Sequence, residues 1–165
     1  MNRLFWGLIF VLLDWKITLG TANIGLLPDV LGFYLLMKGM DSLASGSGTF
    51  GKGRHLAFAL AILSGILYGA DLMNPQTGTK VLLWFLGLGC LIGMFLLLRM
   101  LIRGLEEMGF ETRNLSGMWL VLMMLQSICY LANWIPLVGS ICNVAALGIG
   151  VLFLTIFRKT VKDRK

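Results

Sequence analysis

Charge is scarce in this 165-residue chain: Asp, Glu, Lys and Arg make up 13% of it, against 58% hydrophobic residues. Soluble domains carry about 25% charged residues, so the composition excludes a domain folded in water. Histidine occurs once, at His55, where it follows Arg54 and reads as an ordinary interfacial residue. A single histidine excludes the HExxH metal site. The chain also has no GxSxG with a partner histidine, no Gly-Asp motif paired with a second catalytic aspartate and no P-loop. With no recognisable catalytic constellation and no cofactor motif, the sequence predicts a protein that is not an enzyme and binds no cofactor or metal. The three cysteines, Cys90, Cys129 and Cys142, lie inside apolar segments without CxxC spacing. They are read as packing residues.

What is there is long apolar sequence, with a mean hydropathy of +0.85. The uncharged run from Asn114 to Phe157 covers 44 residues, about twice the roughly 20 that one helix needs to cross a bilayer. It must turn back once, and Asn133-Trp134-Ile135-Pro136 is the strong break near its middle. Hydropathy divides the chain into six segments, residues 3–13, 26–43, 55–74, 80–105, 114–133 and 136–157, the first two the shortest on apolar content. The opening run has Arg3 and an apolar stretch but no small-x-small cleavage site before Asp14 and Lys16, so it reads as a retained helix. The fold class is therefore all-α: one integral membrane bundle of about six transmembrane helices over residues 1–165, with a short irregular segment on the outer side.

The net charge of +6 does not point to nucleic acid, because the basic residues flank apolar spans. With the N-terminus inside, twelve of the fourteen lysines and arginines fall on the cytoplasmic side, leaving Lys16 and Lys80 outside. That asymmetry sets orientation and places both termini in the cytoplasm. Asp41 to Gly53, DSLASGSGTFGKG, reads as a flexible Gly/Ser-rich loop. The fourth segment exceeds what a bilayer needs, so its RMLIRGLEEMG end is expected to project as an amphipathic extension, resting on headgroups or docking a partner.

Internal likeness is visible at both ends of the segments. ILYGADLMNP, residues 66–75, resembles ICYLANWIP, residues 128–136, and LLMKGMDSL, residues 35–43, resembles MLIRGLEEM, residues 100–108. This pattern suggests three similar helical hairpins. In the first pair, Ser64, Tyr68 and Asp71 correspond to Gln126, Tyr130 and Asn133, each set spaced to share one helix face. A polar face is costly in hydrocarbon, so both sets should face the bundle interior. The stretch DWKITLGTANIGLLPD, residues 14–29, lies at the same depth. Pro28 suits the first position of the next helix, which leaves residues 16–27 as irregular backbone, tolerated at membrane depth only under protein or beside a water-filled cavity.

Two readings of this stretch compete. In one, Asp29 caps a helix while Asp14 and Lys16 snorkel beside Trp15. In the other, Asp14, Lys16, Asp29, Tyr68, Asp71, Gln126, Tyr130 and Asn133 form a ligand-binding pocket for a small cationic or zwitterionic solute. Gly89-x-x-x-Gly93 and Ala146-x-x-x-Gly150 read as helix-packing motifs.

NIGLLPDVLGFYLLMKGMDSL, residues 23–43, resembles a stretch of an uncharacterised family of small multi-pass bacterial membrane proteins. The resemblance implies a bacterial plasma-membrane location and carries no activity. In size and helix count the chain is also similar to the substrate-binding membrane subunits of bacterial vitamin uptake systems. The expected function is transport-related or ligand-binding, in the lipid bilayer, as a homo-oligomer or with a partner membrane subunit. The alternative is a non-transporting assembly or regulatory protein acting through its basic cytoplasmic loops.

Overall fold

A computed structural model describes residues 2–12, 16–19, 22–25, 29–72, 77–132 and 136–162. It forms an all-helical bundle: α1 (Asn2–Leu12), α2 (Asp29–Asp41), α3 (Gly48–Leu72), α4 (Thr77–Glu107), α5 (Arg113–Ala132) and α6 (Pro136–Lys162). Four stretches within α3 to α6 are long and apolar enough to cross a membrane: Gly48–Ala70, Val81–Glu107, Arg113–Leu131 and Val144–Lys162. The 11 residues of α1 and 13 of α2 make about 16 and 20 Å of helix at 1.5 Å per residue, short of a hydrocarbon core of about 30 Å.

The segment expected to be irregular contains an antiparallel ribbon, β1 (Lys16–Leu19) and β2 (Ala22–Gly25), in the register Lys16↔Gly25, Ile17↔Ile24, Thr18↔Asn23 and Leu19↔Ala22. The physical reason is the need to pair backbone N–H and C=O groups, helped by Ile17, Thr18 and Ile24, whose β-branched side chains suit strands. β2 packs against α3.

Neighbouring helices close a ring in the order α1, α2, α3, α4, α5, α6 and back to α1. Glycines set the tightest crossings. A methyl group at Gly39 would come within 2.6 Å of Leu4, one at Gly32 within 2.6 Å of Val11, and one at Gly7 within 2.8 Å of Leu36. Backbone contact along α1 and α2 is possible only because these positions carry no side chain. Gly93 meets Leu60 of α3 in the same way, at 2.5 Å, whereas Gly89 has open space. The expected Gly89/Gly93 motif therefore packs through one of its two glycines. The α1/α6 seam is lighter: Gly150 lies in ordinary contact with Leu12, and the Arg158 guanidinium sits 5.7 Å from the centroid of the Phe5 ring.

The Gly/Ser-rich stretch is ordered, contrary to expectation. Turns at residues 42–46 are closed by Leu43 N–H to Met40 O, Ala44 N–H to Asp41 O and Gly46 N–H to Leu43 O. Ser47 then caps α3, its Oγ accepting the Thr49 N–H at 3.1 Å. Phe50 is fully buried against Gly104, so a packed aromatic ring outweighs the low helix propensity of Gly48, Gly51 and Gly53. The RMLIRGLEEMG end of α4 does not project as a free extension either. Leu101, Ile102 and Leu105 are buried in the bundle while Arg103, Glu106 and Glu107 face outward. α4 stops at Gly109, whose φ of +81° lets Phe110 N–H reach back to Leu105 O and Gly109 N–H to Glu106 O.

Burial is lopsided. The buried hydrophobic residues of α3 and α5 lie in their first halves, from Phe50 to Leu60 and from Leu115 to Met123. Those of α4 and α6 lie in their second halves, from Met94 to Leu105 and from Phe153 to Phe157. With α1 and α2 they form one dry core at the end of the bundle where α1 begins and α6 ends. In the other half, Ser64 is the single buried side chain among those described.

Candidate functional site

The crossings fix the heights of polar residues on different helices. Val30 lies 3.7 Å from the Cβ position of Gly65, so the start of α2 stands beside the Ser64–Gly65 turn of α3. Leu60 opposes Gly93, and Phe95 stacks on Trp119 with ring centroids 4.5 Å apart. One turn above Leu60 is Ser64, and two turns above Trp119 is Gln126, so the two sit at nearly the same level across α4. Asp29, Ser64 and Gln126 thus form a polar layer directly on top of the dry core.

Each member has a defined hydrogen-bonding state. Ser64 is 6% exposed and donates its hydroxyl to Ala61 O at 3.1 Å. One carboxylate oxygen of Asp29 is buried, in the first turn of α2 where the helix dipole favours a negative charge. The Gln126 Oε1 is buried and accepts no hydrogen bond among the described residues, an arrangement that costs about 1–3 kcal/mol unless something donates to it. One turn higher, Tyr130 donates its hydroxyl to the backbone carbonyl of Trp84 at 2.6 Å, with the two rings 5.7 Å apart. Tyr68 stands half-buried one turn above Ser64.

Of the eight residues picked out from sequence, the structure therefore groups Asp29 and Gln126 in the layer and sets Tyr68 and Tyr130 one turn above it. Lys16 opens β1 opposite Gly25 and Asp71 lies in the last turn of α3; the side chains of both lie outside the described residues, as do Asp14 and Asn133 altogether. Trp84, which holds Tyr130, was not anticipated. Its signal was Gly87, one turn along α4, where a methyl would lie 2.7 Å from the Tyr130 hydroxyl.

At the opposite end, part of the basic surface proposed as a partner site makes local contacts. Arg54 Nη1 pairs with Asp41 at 2.5 Å, and this guanidinium holds the exposed Asp41 carboxyl below its ordinary pKa. Glu107 accepts hydrogen bonds from the Ser47 and Thr49 hydroxyls. These contacts fasten the end of α4 to the start of α3. Gly46 to Lys52 imitates the first part of a phosphate-binding loop, but Gly53 stands where that loop needs Ser or Thr, and residues 48–53 are already helical. The backbone therefore offers no loop to cradle a phosphate.

Among the described residues no group of three or more His, Cys, Asp or Glu side chains could hold a metal ion. What the polar layer offers is a carboxylate, a hydroxyl oxygen and a side-chain amide that can both donate and accept hydrogen bonds. No family model, no curated protein and no solved structure matches the chain.

Proposed function

We propose that this chain is a small multi-pass protein of the bacterial plasma membrane, with both chain ends in the cytoplasm, and that it binds, and serves the transport of, a small cationic or zwitterionic solute entering from the outer side. The observation that carries the reading is the buried acceptor of Gln126, which accepts no hydrogen bond among the described residues, at the level of Asp29 and Ser64 where the buried core ends. A membrane interior is expensive for such groups. A layer of three at one height is accounted for by a guest. The orientation rests on charge: the described basic residues cluster at the end where α1 begins and α6 ends.

The test is thermal unfolding of the detergent-purified protein and its Asp29→Asn variant against cations, amines, amino acids and vitamins. A ligand at 100 times its dissociation constant stabilises the native state by about 2.7 kcal/mol. The reading expects such a rise for the wild type and its loss in the variant. A variant that merely melts earlier, with no ligand response in either protein, makes Asp29 a helix cap and refutes the pocket. Reporter fusions to the loops after α3 and α4 check orientation independently.

A further inference from the structure

Charge on α1 and α6 has one sign. Their charged residues are Arg3, Arg158, Lys159 and Lys162, and neither helix contains an acid. The sequence after Lys162 adds Asp163, Arg164 and Lys165, one acid against two bases. The acids described at this end of the molecule, Asp41, Glu106, Glu107 and Glu111, belong to α2, α4 and the loop after α4; Asp41 pairs with Arg54 and Glu107 with Arg103. None of the four cations on α1 and α6 forms an ion pair with a described residue. Arg158 is nonetheless held in place, because its guanidinium lies 5.7 Å from the centroid of the Phe5 ring across the seam, within reach of a cation–π contact. That contact uses a flat face, while the five N–H groups lie in the guanidinium plane and donate to no described residue.

Lys162 lies one turn on from Arg158 and shares its face of α6. Like charges at this spacing repel, and an anion between them removes the repulsion. The adjoining surface is apolar: Trp6 follows Phe5 around α1 and is 55% exposed, and Val151, two turns back from Arg158 on the same face of α6, is exposed as well. We infer that the α1/α6 seam binds a phospholipid with an anionic headgroup, its phosphodiester on the Arg158 fork and Lys162 and its acyl chains beside Trp6 and Val151. The inference rests on the chain crossing a bilayer, as α3 to α6 are long enough to do, and is independent of the solute pocket. A guanidinium engages two phosphate oxygens at once, and basic grooves between membrane helices suit anionic headgroups. A free phosphate would leave the apolar part of this surface in water. A choline or ethanolamine headgroup brings a cation of its own to a place that already has two.

The test follows the melting temperature of the full chain in a neutral detergent, at constant ionic strength, against dioleoyl phosphatidylglycerol, dioleoyl phosphatidylcholine and water-soluble glycerol phosphate. The inference expects half-saturation at least about fivefold lower for phosphatidylglycerol than for phosphatidylcholine, and no response to glycerol phosphate. Arg158→Gln combined with Lys162→Gln should raise the phosphatidylglycerol half-saturation at least about fivefold. Lys52→Gln combined with Arg99→Gln removes the same charge from exposed positions on α3 and α4 and should leave it within about twofold. Equal weakening by the two pairs would make the effect one of total charge and overturn the seam. Equal response to both lipids, or none to either, overturns it too, and a shift with glycerol phosphate matching that with phosphatidylglycerol replaces the lipid by a free anion. Should the α6 pair fail to fold, a diazirine-bearing phosphatidylglycerol is photocrosslinked to wild-type protein in phosphatidylcholine vesicles. Label concentrated in peptides of α1 and α6 supports the seam, and label spread evenly over the six helices overturns it.

Discussion

The ring of Phe50 occupies the space that a side chain at Gly104 would need: a Cβ placed there would lie 2.8 Å from the ring's Cζ. The start of α3 and the end of α4 are thereby locked by a ring against a bare backbone. Gly104→Ala should destabilise the protein by about 1–3 kcal/mol, the usual range for overpacking, read as a lower midpoint in a denaturing-detergent titration. Adding Phe50→Leu should restore part of the loss, because the smaller side chain vacates the contested volume.

Tyr130 and Gly87 offer a second pairwise test. Tyr130→Phe removes the hydrogen bond to the Trp84 carbonyl and should cost about 0.6 kcal/mol, the average for interhelical hydrogen bonds in membranes, and at most about 1.7 kcal/mol. Gly87→Ala should cost more than this in the wild type, where the new methyl lies 2.7 Å from the Tyr130 hydroxyl. In the Tyr130→Phe background it should cost less. A double-mutant cycle measures the coupling, and strict additivity would contradict the contact.

The Gly89-x-x-x-Gly93 motif should behave asymmetrically. Gly89→Ala enters open space and should leave stability unchanged or raise it, since alanine favours a helix by about 1 kcal/mol over glycine. Gly93→Ala must displace Leu60 from a 2.5 Å approach and should lower the unfolding midpoint. Equal effects would mean that α4 contacts α3 in another register.

How much of this could be seen in the sequence differs from element to element. Four long helices follow from apolar length alone, and Asn133-Trp134-Ile135-Pro136 coincides with the gap between α5 and α6. The order of residues 42–53 was concealed because glycine and serine content predicts flexibility, while the outcome was decided by one distant contact of Phe50 with Gly104. Gly32 and Gly39 were not recognised as the α1/α2 seam because a seven-residue spacing lacks the familiar four-residue signature. In the site, the i, i+4, i+7 pattern located Gln126 and Tyr130 on one face, but that Tyr130 is held by Trp84 depends on how α4 and α5 cross, which no local pattern encodes.

Acid should reveal the Asp41–Arg54 pair. Because the folded carboxyl titrates below its ordinary value of 3.8, the pair stabilises the protein fully above that value and loses its contribution as pH falls through it. The wild type should therefore lose stability faster than Asp41→Asn as the pH falls below about 4. The difference should shrink in high salt, since both side chains are nearly half exposed. Parallel pH profiles for the two proteins would show that the pair contributes nothing.

The seam between α1 and α6, where Leu12 meets Gly150 and Phe5 lies under Arg158, joins parts of the chain that are made far apart in time. At about 5–20 residues per second, translation needs on the order of 10 s to travel from one to the other. Throughout that interval α1, too short to cross a bilayer by itself, has only α2 and the helices that follow it as support. The ring closes when α6 arrives, so α1, made before the other five helices, waits for the last of them to complete its surroundings.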